Sequence, residues 1–399
     1  MSANAFGKAL SRDTILQAWR EIYQNSSSAS RNTLSSDEIS INDFEHHYKN
    51  HLAHLGRDLR SDKFQFQSLR PYLIPKPNGK FRLICVPTVR DRIVQRALVN
   101  YLSEKYRSQL ANKISYGFIK GRSVKQAAKA GCALRASKPW VFKTDITAFF
   151  DNIKRETLIA GLKKIVRDSS LHNVLRGAIA CEVHTSSNGT KKQIESLGIK
   201  HGQGIRQGMP LSPLFSNILL SPFDEQVQKK EISAIRYADD LIFFAKSKDE
   251  CVGIASFCET ELAKLGLKIP PVGPESKSVI YEPGEAADFL GLELAVSGCS
   301  YQLRLSQKQI ERIKDELLQY GSIGELLARK ITLRNLGQIL TNKKNGYLAA
   351  YDVCENLPGV EAALADVEQK VLRRVYTNGL GINLSTISRE AKTFLNLIS

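Results

Sequence analysis

Apolar positions recur at helical spacing near the start of the chain. In residues 13–23 (DTILQAWREIY), Ile15, Ala18, Trp19 and Ile22 share one face. Residues 25–37 (NSSSASRNTLSSD) lose that pattern, and their Ser and Asn content predicts an exposed loop. A second helix is predicted over 43–59. The period then changes: Tyr72, Leu73 and Ile74 form a strand-like run, PKPNGK supplies a turn through Asn78 and Gly79, and Phe81, Leu83 and Cys85 alternate with Arg82 and Ile84 on the return. That is a hairpin pattern. An amphipathic helix follows at 91–109. A short strand at 141–145 ends on an acid, and a helical region begins near 153. The polar, glycine-containing stretch 182–204 predicts a hairpin or a loop. Helix is expected at 213–227, two short strands around a tight turn at 235–245, and helix again at 257–265. A strand at 289–294 pairs naturally with 301–305. From Ser306, which suits an N-cap, the pattern is helical, with Ile310, Ile313 and Leu317 on one face. The remainder to Ser399 is mostly helical, and no internal repeat is found.

The length, 399 residues, suggests two or three subdomains. The formal net charge of +17 expects an anionic partner, of which nucleic acid is the usual one. The basic residues are spread along the chain, which favours a positively lined folded surface over a charged tail. In and after the second helix, His46, His47, Lys49, His51, His54, Arg57 and Arg60 fit either a solvated face or a surface that follows a phosphate backbone. Seven cysteines, odd in number and scattered, argue against a disulfide framework. Cys251 and Cys258 lack a companion histidine or second pair and read as ordinary helix residues. With no signal peptide and no apolar run of membrane-spanning length, the expectation is a cytoplasmic protein that does not engage a membrane.

Three segments carry chemistry. In IRYADDLIFFA (235–245), two adjacent acids sit between apolar runs, so a hairpin would hold both carboxylates at its bend. Burying paired carboxylates is costly unless a cation compensates, and a divalent metal is the simplest one. An Asp-Asp turn alone also fits an ordinary surface turn. In FKTDITAFFD (142–151), Asp145 ends an apolar strand. Beside the hairpin, Asp145 and Asp239 could share two Mg²⁺ ions roughly 3.5–4 Å apart, one activating a primer 3′-hydroxyl and the other holding a triphosphate. Asp240 would assist coordination or organise the turn. Magnesium suits all-oxygen ligands that keep water and bind phosphates. In GIRQGMPLSP (204–213), Gly204 and Gly208 permit close backbone approach to a ligand, although the segment alone also fits a plain loop before a helix.

Taken in order, these segments resemble the bacterial reverse transcriptases, the superfamily of group II intron, retron, diversity-generating and stand-alone antiviral enzymes. The resemblance runs from about residue 13 to about 305. It rests on IPKPNGKFRLICVPTVRDRIVQRAL (74–98), SYGFIKGRS (115–123), KTDITAFFDNI (143–153), RQGMPLSPLFSNILL (206–220), YADD (237–240), GPESKSVIYEP (273–283) and FLGLEL (289–294). It implies an α+β right-hand polymerase fold: an N-terminal extension and fingers over 1–140, a palm of antiparallel sheet with helices over 141–305 with a fingers-side insertion near 160–205, and a helical thumb and C-terminal region over 306–399. It implies catalysis by Asp145, Asp239 and Asp240 and metal ligation by Asp145, Ile146, Asp239 and Asp240, with Mn²⁺ a substitute for Mg²⁺. Lys80, Arg82 and Lys277 would contact the triphosphate. Phe150 would stack under the sugar and exclude a 2′-hydroxyl, and Gln207 would lie near the nucleotide or template.

The chain departs from the intron-type pattern where SSSASRNTLSS replaces a glycine-rich segment after the first helix. No endonuclease-like domain, cysteine-rich tail or retron-specific stretch is evident. What remains is similar to the stand-alone antiphage enzymes. By that analogy the partners are a dedicated structured noncoding RNA, dNTPs, a DNA primer or product, and a second protein or further copies of the chain. The leading expectation is therefore RNA-directed DNA synthesis in antiviral defence. Template-independent or protein-primed synthesis by the same site is the first alternative, and an RNA-binding maturase or scaffold is the second.

Overall fold

The computed structural model describes residues 4–75, 79, 81–185 and 188–397. The chain divides into two compact units. The first comprises residues 1–123, 142–243 and 249–280, and the second 124–141, 244–248 and 281–399.

The first unit opens with the helix Arg12–Asn25, capped by Ser11, whose hydroxyl accepts from the Thr14 N–H. Ile15, Ala18 and Trp19 are buried on its inner face, as their spacing predicted. The predicted loop contains a single helical turn, Ser28–Arg31. The predicted 43–59 helix is two helices, Ile41–His46 and Tyr48–Arg60, divided where His47 leaves helical geometry. Strands β1 (Arg70–Pro75) and β2 (Phe81–Val86) then pair antiparallel, with Leu73 opposite Leu83 and Ile74 opposite Arg82. The turn expected through Asn78 falls mostly outside the described residues. The helix after β2 is Val89–Lys105, with a separate turn at Arg107–Leu110.

The site lies on a four-stranded sheet of β3 (Trp140–Asp145), β4 (Ser233–Tyr237), β5 (Asp240–Ala245) and β6 (Val279–Tyr281), in the order β4-β5-β3-β6. Strand β5 is a near-continuous apolar run, buried from Leu241 to Ala245, whereas β6 is half-buried along its length. Phe142 of β3 stacks on Phe243 of β5 at 5.8 Å, both fully buried, each contributing about 1.5–3 kcal/mol of transfer free energy. The helix Ser212–Lys229 buries Leu214, Phe215, Ile218, Leu219 and Phe223.

Residues 182–204 depart from expectation: they contain a helix, Asn188–Ser196. Its anchor is Ile194, which joins Leu69, Leu83, Cys85, Cys181 and Met209 in a small core with Leu197 packed against it. One apolar residue in a polar run gives too little periodicity to mark a helix from sequence. Cys251 and Cys258 are buried in the helix Lys248–Lys264, consistent with the plain reading.

The second unit contains β7 (Ala287–Phe289), β8 (Leu292–Ser297) and β9 (Ser300–Arg304), paired in that order. The single strand expected at 289–294 is interrupted at Leu290 and Gly291, both left-handed (φ 55° and 79°), which fold β7 back onto β8. Ser306 caps the helix Gln307–Leu318, whose Ile310, Ile313 and Leu317 are buried as predicted. Arg135 is fully buried here and donates to the carbonyls of Pro139, Glu282, Glu285 and Leu294 while stacking on Tyr301. A buried guanidinium survives only when its donors are matched in this way. No described helix is long and apolar enough to cross a membrane.

Candidate active site

Asp145 is the last residue of β3, and β3 neighbours β5, which begins at Asp240. The Ile146 N–H donates to the Asp239 carbonyl at 3.2 Å, so the end of β3 is tied to the bend between β4 and β5. The bend itself is Ala238 and Asp239. Ala238 adopts a left-handed conformation (φ 58°) that a non-glycine residue holds only where its surroundings impose it. Gly117 supplies one such constraint: a Cβ there would lie 2.4 Å from the Ala238 N and 3.0 Å from the Tyr237 carbonyl carbon. The glycine of SYGF is therefore required by close backbone contact with YADD.

Beneath the turn lies a buried polar network. Arg236, 1% exposed, donates from Nε to Asp224 Oδ1 at 2.7 Å and from Nη2 to Asp224 Oδ2. Its Nη1 donates to Asn217 Oδ1 at 3.0 Å and to the Ala238 carbonyl at 3.2 Å. Asn217 in turn donates to the Gly117 carbonyl at 3.0 Å, and Asn112 donates to Asp224. The network thus links the turn, the Ser212–Lys229 helix and the SYGF segment. The sequence reading missed Arg236, Asp224, Asn217 and Asn112. Arg236 was visible only as the residue before YADD, and nothing local points to Asp224 twelve residues earlier.

The electrostatics favour a cation. Burial first, and then the neighbouring Asp239 charge, raise the Asp240 carboxyl to about 6 against the opposing Lys143. Burial likewise raises Asp239, with Asp145 adding to the shift and Lys277 and Arg82 opposing it. Asp145 Oδ2 pairs with the Lys277 ammonium, while its Oδ1 is buried with no hydrogen-bond partner. Among the described residues, no three His, Cys, Asp or Glu side chains form a ready-made metal cage. The donor set is nonetheless all oxygen, under-neutralised and partly unpartnered, which fits a hard divalent cation.

The other candidates fall around the acids as follows. Phe150 lies in the single turn Phe149–Asn152, entered through left-handed Ala148 (φ 43°). Its carbonyl accepts the Ile205 N–H at 2.9 Å, and a Cβ on Gly204 would lie 2.7 Å from the carbonyls of both Phe150 and Asp151. The Gln207 carbonyl accepts the Cys85 N–H at 2.7 Å, and a Cβ on Gly208 would lie 2.4 Å from the Cys85 carbonyl. Gly204 and Gly208 are therefore required for close packing of the protein's own backbone. Arg82 is exposed on β2, with its charge felt at Asp239. Lys80 lies outside the described residues.

Comparison with known proteins agrees with this geometry. Residues 74–294 match the family described as reverse transcriptase (RNA-dependent DNA polymerase). Protein YkfC of Escherichia coli (strain K12) is 29% identical over 187 residues, 45% of this chain and 46% of that protein. The retron Ec83 reverse transcriptase of Escherichia coli is 29% identical over 184 residues, 45% of this chain and 53% of that protein. The chain thus spans about half the length of these curated relatives. Among solved structures, a telomerase from Candida albicans in complex with a telomeric RNA fragment aligns over 90% of this chain and 69% of its own, at 11% identity and a TM-score of 0.46. With the motifs in order, the acids on one sheet and more than half of the chain matched, the chain belongs to the reverse transcriptase family and has that family's mixed helix-and-sheet, right-hand polymerase fold.

Proposed function

We propose that the chain is an RNA-directed DNA polymerase that adds deoxynucleotides to a primer 3′-hydroxyl. The observation that carries this reading is the convergence of Asp145 with the Asp239–Asp240 turn, in a half-buried setting that raises Asp239 and Asp240 and leaves Asp145 Oδ1 unpartnered. Asp145, Asp239, Asp240 and the Ile146 carbonyl would hold two Mg²⁺ ions, with Mn²⁺ a substitute, and the bound ions would supply neutralisation of phosphate charge and activation of the primer hydroxyl. Around them this chain's residues orient the substrate: Arg82, Lys277 and Lys80 attract the triphosphate, Phe150 underlies the sugar, and Gln207 borders the nucleotide or template. Positioning and fixed charge carry the catalysis, and no side chain needs to act as a proton shuttle. In this reading 1–140 serve as fingers with an N-terminal extension, 141–305 as palm and 306–399 as thumb.

The template partner is a structured noncoding RNA, and the setting is antiviral defence. A basic groove supports the RNA half of that statement. Arg12 and Arg20 of one helix and Lys49, His54, Arg57 and Arg60 of another line a concavity with no acid among the described residues of its wall. Cations gathered in a groove suit a phosphate backbone. The defence setting rests on the resemblance to stand-alone antiphage enzymes. Primer extension on a defined RNA template tests the reading: metal-dependent deoxynucleotide addition is expected, and its absence with both RNA and DNA templates would refute it.

A further inference from the structure

Residues 182–203 contributed nothing to the site as read from sequence, yet Glu182 is bonded to the loop that leads into Gln207. Its backbone is strapped to the start of the β1–β2 hairpin: the Leu69 N–H donates to the Glu182 carbonyl at 2.8 Å and the His184 N–H to the Leu69 carbonyl at 2.7 Å. Its carboxylate faces the opposite way, toward the loop before Gln207. Oε1 accepts the Gly202 N–H and Arg155 Nη1, both at 2.8 Å, and Oε2 accepts Arg206 Nη2 at 2.9 Å.

Each guanidinium then grips the loop. Arg155 Nε donates to the Gly204 carbonyl at 2.9 Å, and Arg206 Nη2 donates to the Lys200 carbonyl at 2.9 Å. The Arg206 carbonyl accepts the Ser212 hydroxyl at 2.7 Å, fixing the loop's exit into the following helix. From the loop, the Gly204 N–H donates to the Ile153 carbonyl, the Ile205 N–H to the Phe150 carbonyl, and the Gln207 carbonyl accepts the Cys85 N–H. One carboxylate thus underpins a loop bonded on one side to the Phe150 turn and on the other to β2, the strand that carries Arg82.

The charge balance makes this dependence strong. Arg206 is 2% exposed and Arg155 is 9% exposed, and both retain buried N–H groups without a partner: Arg206 Nε and Nη1, and Arg155 Nη2. Removing the anion they share leaves two buried cations facing a neutral acceptor, a costly arrangement that drives side chains and loop to rearrange. Displacing a positioning group by about 1 Å can cost on the order of a hundredfold in rate.

We infer that Glu182 is a positioning residue that sets deoxynucleotide affinity and sugar choice by holding the Gly202–Gln207 loop against Phe150 and β2. This rests on the proposed polymerase reading. It touches no reacting atom, so its loss should act on binding more than on the chemical step.

The test compares wild type, Glu182→Gln, Glu182→Asp and the surface control Glu195→Gln in single-nucleotide addition on an RNA template, with amide exchange at Gly202, Gly204 and Ile205 measured in parallel. Glu182→Gln should raise KM for the deoxynucleotide roughly tenfold with a smaller change in kcat, narrow the deoxy-to-ribonucleotide preference, and speed exchange at those amides. Glu182→Asp, which keeps the charge, should recover part of each effect, and Glu195→Gln should match wild type. A folded Glu182→Gln protein with unchanged KM, sugar preference and exchange would overturn the inference. Should that variant fail to fold, Glu182→Gln/Arg206→Met, which removes the orphaned charge, is read in its place by the same criteria. If wild type makes no DNA, the polymerase reading fails by itself, and unchanged exchange in Glu182→Gln would still overturn the positioning role.

Discussion

The hairpins β1–β2 and β4–β5 use similar lengths of chain and end in opposite ways. In β4–β5 nearly every strand residue is buried, the bend holds two carboxylates, and Arg236 and Asp224 lie beneath it with matched hydrogen bonds. In β1–β2 only Leu83 and Cys85 are buried, and the outer end is open: Ile74 and Phe81 are about half exposed, and Arg82 beside them is exposed too. The difference follows from what each must hold. Carboxylates that repel one another stay together only in a frame that the rest of the protein over-determines, here left-handed Ala238, close-packed Gly117 and a buried ion pair. In the proposed reading Arg82 meets an exchanging triphosphate, and a solvated position suits that role because leaving a partner there costs little.

The largest break in this contrast should come at the rigid hairpin's acids. Asp239→Asn should lower DNA synthesis by about a thousandfold while leaving RNA affinity unchanged, read by primer extension beside filter binding. Asp224→Asn tests the frame instead. It leaves Arg236 buried against a weaker partner and should cost roughly 3–5 kcal/mol in urea unfolding. A loss under 1 kcal/mol would show that the network does not support the turn. Phe150→Ala, between the two hairpins, should admit ribonucleotides and cut sugar discrimination about ten- to a hundredfold, the scale of one steric contact in a pocket. Unchanged discrimination would remove Phe150 from that role. On the exposed hairpin, Arg82→Gln should alter unfolding free energy by less than about 0.5 kcal/mol, as expected for a solvated side chain. It should still raise KM for the nucleotide severalfold.

The smallest effect sharpens the comparison at the exposed hairpin's base. Asp91 is fully buried, accepts the Gln67 N–H at 2.8 Å just before β1, and is pushed up to about 6 by burial. Its unfolded value is near 3.9. The folded chain therefore binds more protons between those values, so this group's stability contribution is fully present below about pH 4 and is lost as pH rises through 6. Asp91→Asn should flatten that part of the decline, which denaturation from pH 4 to pH 7 would reveal as a shrinking gap between the two proteins.

How much of this was legible in the sequence depended on range. The β4–β5 bend was readable because two acids between apolar runs are a local signal, and β1–β2 because Asn78-Gly79 separates two short strand-like runs. The helix Asn188–Ser196 was not, since Ile194 alone anchors it. The break at Leu290 and Gly291 was missed because one left-handed turn inside an apolar run leaves the alternation almost intact. Glu182, Asp224, Asn217 and Gly117 were out of reach for a different reason. Their roles come from pairings with residues 12 to 121 positions away, such as Asp224 with Arg236 and Gly117 with Ala238, and no periodicity encodes those. The order of the motifs conveyed the family, but the supports beneath them became visible only in three dimensions.

Whether the Asp145–Asp239–Asp240 site copies RNA into DNA is decided by sequencing the DNA made when the protein, with its co-purified RNA, receives Mg²⁺ and dNTPs, beside the Asp239→Asn protein. A defined DNA complementary to one bound RNA is expected from the first and none from the second. Homopolymeric or random DNA, or equal product from both proteins, would contradict that role.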